Sequence, residues 1–567
     1  ATLNKSDIES REPTFTGRQT IIRLDGGVQQ IKLQGNEVTS FNVNNGNNTF
    51  GIVKDLGVDP DASEWKKVLL PWTVRVFADD SKFKEFNKEE KNNDNKPKYS
   101  QKYRSRDSSK HERNLGDIVN SPIVAVGGYL ATSANDGMVH IFKKGNGDAR
   151  NYSLKLSYIP GTMPRKDIEN KDSNLAKELR AFAEKGYVGD RYGVDGGFVL
   201  RRITDDQDKQ KHFFMFGAMG LGGRGAYALD LTKADSNNPT AVSLFDVKNG
   251  NNGNNSNNSN NSVQLGYTVG TPQIGKTHNG KYAAFLASGY ATKTIDDQQN
   301  KTALYVYDLE SSGTLIKKID VPGGKGGLSS PTLVDKDLDG IVDIAYAGDR
   351  GGNMYRFDLS SDNPSSWTVR TIFSGNKPIT SAPAISQLKD KRVVIFGTGS
   401  DLSEDDVDKT DEQYIYGIFD DDTATTGPVN FSGTGGGLLE QVLTEENKTL
   451  FLTDYKRSDG SGSKGWVVKL KDGQRVTVKP TVVLRTAFVT IRKYKDNGCG
   501  AETAILGINT ADGGKLTKKS ARPIVPADNT AVAQYSGHKQ TTKGKSIPIG
   551  CMEKDNGIVC PNGYVYD

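Results

Sequence analysis

The chain has 567 residues, 63 of them glycine, with 25% charged residues and a formal net charge of +5 at pH 7. A chain of this length has room for a large buried core and for more than one domain. Because the net charge is small and the two signs are interspersed, charge alone points to neither nucleic acid nor a membrane surface as a partner. No apolar run approaches the roughly 18–20 residues that cross a bilayer, so we expect no membrane-spanning segment.

The N-terminal part is predicted to consist of two regions. Residues 1–80 carry strand-like runs such as Gln19–Leu24, and we expect a strand-containing segment that precedes the rest of the chain or packs on it. Residues 81–113 are almost entirely polar and charged, so they cannot bury enough apolar surface to offset the entropy lost on ordering. This second region is predicted to be a polar linker or a flexible loop.

Residues 114–567 are the third predicted region, a repeat-built domain with a C-terminal extension, and one pattern of strands recurs in it. In each copy a proline precedes a short apolar strand, and a later strand ends with an aromatic residue, which Asp follows in the last three of the four copies. Four copies have Pro122, Pro272, Pro331 and Pro383, and the last three lie roughly 50–60 residues apart, near the length of a four-stranded propeller blade. Since one such unit cannot bury both faces of its sheet, the units must stack on one another. We predict an all-β fold, a modified β-propeller with seven blades expected and six or eight as alternatives.

Less regular copies and insertions interrupt this pattern. The weaker copies are predicted over Phe213–Leu231, Gly465–Leu470, Ala487–Ile491 and Thr503–Ile508. Within Asn174–Glu184, Leu175, Leu179 and Phe182 fall at helical spacing, which predicts a short helical insertion. The Asn-rich run 249–262 is typical of a disordered loop tip.

One stretch carries a specific chemical signal. It places four carboxylates around a glycine turn, at Asp335, Asp337, Asp339 and Asp343. A hard divalent cation such as Ca²⁺ takes about six to eight oxygens, and a loop delivers them only if every second side chain turns inward. Gly340 permits the sharp turn, and the backbone carbonyl of Ile341 is placed to add a ligand. The sequence therefore predicts a calcium site formed by the four aspartates and the Ile341 carbonyl.

The main alternative for this stretch is an acidic turn in solvent. Mg²⁺ fits less well than Ca²⁺ because it prefers a tight octahedron with several waters. The stretch resembles the first half of an EF-hand loop, but position twelve is Tyr346 rather than Glu and the flanking segments are strand-like. Because four unpaired carboxylates would repel one another, cation binding should couple to local order. Arg350 and Arg356, just beyond the loop, are candidates for charge pairs with it.

Other motifs are interpreted as structural. A second acidic cluster lacks alternate spacing and a glycine turn, so we expect a solvated loop there; it comprises Asp401, Glu404, Asp405, Asp406 and Asp408. The run Gly220–Gly225 matches a dinucleotide fingerprint in its letters, but a strand rather than a helix is predicted after it, so we expect a hairpin turn. The five histidines are scattered, with no pair at metal-ligand or catalytic spacing.

Three cysteines are few for a chain of this length. Cys551 and Cys560 bracket a glycine-containing stretch suited to a hairpin, and we predict a disulfide between them. Cys499 is then left unpaired, which argues against a disulfide framework.

Several segments in collinear order resemble one known family. They are Leu115–Pro122, Asn135–His140, Gly223–Asp230, the Asp335–Asp343 loop with Ala347–Asp349, and Phe396–Gly399. These segments resemble the C-terminal domains of PilC/PilY-type proteins of bacterial type IV pili. The resemblance implies a modified seven-bladed propeller that binds Ca²⁺ through residues at the positions of Asp335, Asp337, Asp339 and Asp343, with a main-chain oxygen at Ile341. It also implies that the calcium-bound state opposes pilus retraction.

The same resemblance favours a calcium-binding protein at the pilus tip rather than an enzyme. It implies roles in pilus biogenesis, in extension and retraction (twitching motility), and in host-cell adhesion linked to virulence. The implied partners are pilin or minor pilin subunits and an unidentified host-cell receptor. It further implies secretion through the periplasm to the outer surface of the bacterium; the residues from Ala1 onward lack a signal-like region, so we expect a piece without its secretion signal.

Two other function classes stay open at this point. A quinone-dependent dehydrogenase also combines a propeller with calcium, but such enzymes use adjacent cysteines and tryptophan-rich blade-docking repeats. This chain has separated cysteines and four tryptophans, and a cofactor absorbance spectrum would distinguish the two classes. The second alternative is a structural scaffold in which calcium only stiffens one blade.

Overall fold

The computed structural model describes most of the chain between residues 123 and 516, with short segments on either side. The described residues are 19–34, 37–38, 91, 93–95, 123–134, 137–145, 152–167, 170–179, 193–249, 263–292, 294–423, 427–431, 437–446, 449–455, 462–471, 473–495, 500–516, 531–534, 538–540, 546–548, 552–554, 557–559 and 565–566. Most of the predicted linker, the Asn-rich run beyond Asn249 and all three cysteines lie outside these residues. The Cys551–Cys560 disulfide therefore stays a prediction.

Nearly all the regular structure in these residues is β-strand, as predicted, and the chain divides into two compact units. The first unit comprises the chain up to Lys276 with Gly280–Gly289 and Tyr305–Lys318. The second comprises Thr277–Asn279, Tyr290–Leu304 and the chain from Ile319 onward. Among the described residues, no helix has the length and apolar character needed to span a membrane.

Ten strands open the described part of the first unit. They are β1 (Gln19–Leu24), β2 (Gly27–Gln30), β3 (Leu33–Gln34), β4 (Glu37–Val38), β5 (Val124–Val126), β6 (Tyr129–Ser133), β7 (Val139–Lys144), β8 (Tyr152–Pro160), β9 (Pro164–Lys166) and β10 (Asp172–Asn174). Six of them form a sheet in the order β2-β1-β8-β7-β6-β5, while β3 with β4 and β9 with β10 form separate hairpins. Because β1 pairs in parallel with β8, N-terminal residues extend a sheet made by residues over 100 positions later.

A short helix, α1, covers residues 175–179 directly after β10. The side chain of Asn174 accepts a hydrogen bond from the backbone N–H of Lys177 (2.9 Å), which caps the first turn. Leu175 and Leu179 are buried in the core of the first unit. The predicted helix is thus confirmed over these residues, and Phe182 lies outside the described part of the chain.

Two four-stranded sheets follow, and in each the spatial order equals the chain order, as in a propeller blade. Their strands are β11 (Phe198–Thr204), β12 (Gln210–Ala218), β13 (Gly225–Asp230), β14 (Ser243–Lys248), β15 (Gln273–Lys276), β16 (Tyr282–Ala287), β17 (Ala303–Asp308) and β18 (Leu315–Asp320). Every residue of β13 and β17 is buried, whereas β14 alternates between buried and half-buried residues. The third strand of each sheet is therefore covered on both faces, which explains its continuous apolar sequence.

The later chain forms further sheets and one short helix, α2 (Glu404–Asp408). The strands are β19 (Thr332–Val334), β20 (Ile344–Gly348), β21 (Asn353–Asp358), β22 (Thr368–Ser374), β23 (Ala384–Gln387), β24 (Arg392–Gly397), β25 (Tyr414–Asp420), β26 (Val429–Asn430), β27 (Leu438–Glu446), β28 (Thr449–Leu452), β29 (Gly465–Lys469), β30 (Gln474–Arg475), β31 (Thr481–Val483), β32 (Thr486–Lys495), β33 (Gly500–Asn509), β34 (Ala531–Gln534), β35 (His538–Gln540), β36 (Ser546–Pro548), β37 (Met552–Lys554), β38 (Gly557–Val559) and β39 (Val565–Tyr566).

The strand order in the second unit shows where the repeat is regular and where it is elaborated. One sheet runs β19-β20-β21-β22 with β26 added in parallel, and the next runs β23-β24-β25-β29-β27-β28-β34. A third has β32 at its centre, paired with β30, β31 and β33. The predicted repeat prolines Pro272, Pro331 and Pro383 each stand directly before the first strand of a sheet, so these repeats are confirmed. The number of blades stays a prediction.

Glycines and large aromatic residues pack on each other across paired strands. Gly417 of β25 is the register partner of Trp466 in β29, and Gly217 of β12 is that of Tyr227 in β13. A Cβ atom at Gly417 would lie 2.1 Å from the Trp466 ring, and one at Gly217 would lie 2.2 Å from the Tyr227 ring. These glycines are needed because the ring of the opposite residue occupies the space of their side chain.

Candidate metal centre

The acidic loop of residues 335–343 connects two strands of the second unit. β19 and β20 pair antiparallel with Val334 opposite Ile344, and the backbone N–H of Asp343 donates to the Val334 carbonyl at 2.9 Å. Gly340 has a φ of +85°, a conformation that glycine adopts freely, and it reverses the chain as the sequence predicts. The loop is therefore a strand-flanked turn and not the helix-flanked loop of an EF-hand.

The loop brings together the four aspartates that the sequence predicts as ligands. Asp335, Asp337, Asp339 and Asp343 each offer one carboxylate oxygen, and these oxygens all lie within 4.8 Å of one another. Asp337 and Asp339 are exposed, Asp335 is half-buried and Asp343 is buried. A donor set made only of carboxylate oxygens fits a hard divalent cation.

Hydrogen bonds within the loop hold this arrangement. The carboxylate of Asp335 accepts from the backbone N–H groups of Asp339 (3.3 Å) and Gly340 (2.7 Å). The carboxylate of Asp339 accepts from the backbone N–H of Ile341 at 2.9 Å. The loop thus folds its own backbone donors toward the acidic side chains, and the Ile341 carbonyl as a fifth ligand stays a prediction.

The pKa values of the two exposed aspartates shift in opposite directions. Partial desolvation, followed by the charges of Asp339 and Asp343, raises the pKa of Asp337. The hydrogen bond from Ile341 lowers the pKa of Asp339. A divalent cation among these groups would relieve the repulsion between them.

The buried aspartate of the four, Asp343, is held by two donors. Its Oδ2 accepts from the backbone N–H of Lys336 and its Oδ1 contacts Nε2 of His278, each at 2.7 Å. His278 lies between β15 and β16, in the Thr277–Asn279 segment that belongs to the second unit. Sequence reasoning missed this histidine because it is 65 residues from Asp343 and no spacing pattern connects them.

A network of charged residues outside the loop is joined to it through Lys336. The side chain of Lys336 lies 3.0 Å from Asp422, which also pairs with Arg356 (2.6 Å) and Arg392 (3.1 Å). Arg356 further contacts Asp420 at 3.0 Å, so the predicted pairing of Arg356 with the acidic loop is wrong. Arg356 lies on β21, and its side chain points toward Asp420 at the end of β25.

Two further residues near the loop have structural contacts. Arg350 donates to the Thr292 carbonyl at 2.7 Å and lies over the Tyr290 ring. Tyr346, at the position where an EF-hand has glutamate, donates to Asp420. The hydroxyl of Tyr346 is thus committed to a partner outside the loop.

The second acidic cluster differs from the solvated loop that the sequence predicts. Residues Glu404–Asp408 form α2, capped by the Ser403 side chain, which accepts from the backbone N–H of Asp406 at 3.2 Å. The buried guanidinium of Arg475 donates to the carbonyls of Ser400 (3.0 Å) and Lys409 (2.7 Å). The prediction is wrong because a cation from 66–75 residues further along the chain satisfies the free carbonyls around this turn.

The glycine-rich run is confirmed as structural. Gly220–Gly222 forms a single 3₁₀ turn and Gly225 already begins β13, so no helix follows to hold a pyrophosphate. His140 and His212 each contact a neighbouring strand side chain, Ser157 (2.8 Å) and Asp230 (3.0 Å) respectively. Neither pair is near another metal-ligand group among the described residues.

Sheets whose strands pair in chain order recur along the described residues, and one of them carries an all-carboxylate loop, which defines a β-propeller protein with a candidate cation site. A family model described as the PilY1 beta-propeller domain matches residues 115–456. The match covers more than half of the chain, which belongs to this family. The crystal structure of the Pseudomonas aeruginosa PilY1 C-terminal domain has the same fold, with a TM-score of 0.52 and 22% identity over 76% of this chain and 91% of that one.

Similar full-length proteins are named type IV pilus biogenesis factors. PilY1 of Pseudomonas aeruginosa strain UCBPP-PA14 is 32% identical over 58% of this chain and 28% of its own length. PilY1 of strain PAO1 is 28% identical over 83% of this chain and 45% of its own length. A PilY1 homolog of Xylella fastidiosa is 27% identical over 70% of this chain and 29% of its own length. The chain thus spans less than half the length of these relatives.

Proposed function

We propose that this chain is the calcium-binding module of a type IV pilus biogenesis factor. The observation that carries the proposal is the convergence of four carboxylate oxygens within 4.8 Å of one another on a strand-flanked loop, in a chain of the PilY1 propeller family. The names of the relatives support a role in pilus biogenesis. They name no reaction, and a binding role without catalysis is part of the proposal.

Five groups of the loop would hold the ion. The side chains of Asp335, Asp337, Asp339 and Asp343 supply its carboxylate ligands, and the main-chain oxygen of Ile341 adds another. Ca²⁺ is favoured over Mg²⁺ because it accepts six to eight oxygens in a flexible geometry, whereas Mg²⁺ demands a tight octahedron with retained waters. Four of the five groups lie on exposed or half-buried residues, so water can complete the coordination.

Binding would change the order of the loop. Four carboxylates this close repel one another, and a divalent cation turns that repulsion into attraction to a common centre. The bound loop then presents one defined surface to pilin or minor pilin subunits at the pilus. We propose that this surface supports pilus assembly, opposes retraction and contributes to adhesion at the bacterial outer surface.

Calorimetry tests the site. We expect the unaltered chain to bind one Ca²⁺ and Asp343→Ala to lose measurable binding, because the variant lacks the buried ligand. Asp405→Ala is a matched control, since it removes an exposed carboxylate of the second acidic cluster and should leave calcium affinity unchanged. Equal calcium binding by Asp343→Ala and the unaltered chain would refute the ligand assignment.

Pili on living cells test the biological role. In the full-length protein, Asp343→Ala should reduce the number of surface pili, and removal of the retraction motor should restore them. A scaffold role, in which calcium only stiffens one sheet, predicts normal pili and normal twitching in the same variant. That outcome would refute control of retraction while leaving calcium binding intact.

A further inference from the structure

The geometry around Asp343 points to a role for a residue outside the acidic loop. We propose that His278 is a positioning residue for the cation site, holding the buried ligand Asp343 in the orientation that binds a divalent cation. This inference rests on the proposed function, and it adds that calcium binding depends on the contact of His278 Nε2 with Asp343.

Asp343 is the buried one of the four proposed ligands. It is 7% exposed, whereas Asp337 and Asp339 are exposed to solvent. Each of its oxygens has one short contact, Oδ2 with the Lys336 N–H and Oδ1 with Nε2 of His278, both at 2.7 Å. A carboxylate oxygen accepts about two hydrogen bonds, so each oxygen keeps a lone pair for a cation.

The two donors to Asp343 differ in whether they belong to the acidic loop. The Lys336 N–H belongs to the loop itself and moves with it. His278 lies 65 residues earlier, between β15 and β16, and its side chain is only 18% exposed. His278 therefore fixes Asp343 from a part of the fold that cation binding does not need to order.

The chemistry of the two groups shows which of them, His278 or Asp343, carries the hydrogen between them. Ionised Asp343 can only accept hydrogen bonds, so Nε2 of His278 must carry the hydrogen that lies between them. Residues that bond to metal-ligating carboxylates orient the ligand, and their loss typically weakens metal binding by about 10–100-fold. The other ring nitrogen, Nδ1, lies 3.9 Å from the exposed carboxylate of Asp362, beyond hydrogen-bonding distance.

The test measures the calcium affinity of four variants by calorimetry. His278→Ala should weaken binding by about 10-fold or more. His278→Gln should restore most of the affinity, because the glutamine amide nitrogen reaches the position of Nε2, whereas His278→Asn, which reaches only the position of Nδ1, should not. His212→Ala breaks a similar His–Asp contact in the first unit (3.0 Å to Asp230) and should leave the affinity unchanged.

The outcomes separate this inference from the proposed function. A merely structural histidine would lower the thermal midpoint in chelator without changing calcium affinity, and that result in His278→Ala would overturn the inference. Should His278→Ala fail to fold, equal affinities of the Gln and Asn variants would overturn it instead. If the unaltered chain took up no calcium, the proposed function would fall together with the inference.

Discussion

Two exposed leucines show how single residues depart from their usual backbone conformation. Leu338, in the acidic loop, and Leu484, in the turn between β31 and β32, both have a φ of +57°. Their exposed fractions are 88% and 91%, so little packing is lost if either is replaced. This left-handed conformation costs a residue with a Cβ atom about 1–2 kcal/mol, and asparagine tolerates it better.

We expect Leu338→Asn to raise the free energy of unfolding by up to about 1 kcal/mol, because the strain is relieved and little buried surface is given up. Leu484→Asn is the matched variant and should behave alike. Denaturant midpoints measure both changes. A stabilised Leu484→Asn beside a destabilised Leu338→Asn would show that the Leu338 side chain makes a stabilising contact.

The four aspartates of the candidate site can be predicted from the sequence, whereas the histidine that contacts one of them cannot. The four aspartates fall within nine consecutive residues, and a loop of that length around Gly340 has few ways to arrange them. His278 contributes from 65 residues away through the pairing of whole strands. A single sequence carries no local pattern for a contact of that kind.

Among the elements, paired strands are joined by glycine–aromatic contacts that a sequence pattern does not reveal. Gly417 and Trp466 become partners only because β29, and not the next strand in sequence, pairs with β25. Trp466 is fully buried and donates to the Thr510 carbonyl at 2.8 Å, so its ring has no room to move aside. The sequence predicts both strands and leaves their register open.

Gly417→Ala should destabilise the fold by about 1–3 kcal/mol, because an added Cβ would lie 2.1 Å from the Trp466 ring. Gly500→Ala is the control within β33, where an added Cβ meets nothing within 4 Å. Unfolding in urea measures both. The expectation fails if the two variants lose the same stability.

The helix α2 shows a sequence prediction overturned by a distant residue. An acidic run without glycine is typical of a solvated loop, but Arg475 donates to carbonyls around this turn. Within the turn, burial alone would raise the pKa of Asp406. Its hydrogen bond from Ser400 (2.6 Å) and the nearby charge of Lys409 outweigh burial, so its pKa is lowered.

This shift predicts a pH-dependent effect of Ser400→Ala. Since folding lowers the pKa of Asp406, its contribution to stability is complete above the unfolded value of about 3.9 and is lost as pH falls through the folded value. Ser400→Ala should therefore cost about 1–2 kcal/mol at pH 7 and progressively less below pH 4. Thermal melts of both proteins across this range measure the difference, and a cost independent of pH would contradict the explanation.

For the whole molecule, the repeated prolines predict the regular sheets, and three of them stand directly before a first strand as expected. The additional strand pairings are not predicted. In these, β26 pairs in parallel with β22, β27 with β29, and the N-terminal β1 with β8. Such pairings depend on which sheet edges remain open once the chain has folded. They are set by tertiary packing and not by local pattern.

We propose that the loop of residues 335–343 binds Ca²⁺ within this fold. A crystal structure grown in calcium, with anomalous scattering measured, tests it most directly. We expect one anomalous peak about 2.3–2.6 Å from oxygens of Asp335, Asp337, Asp339, Asp343 and the Ile341 carbonyl. A well-ordered loop with no peak in saturating calcium would contradict it.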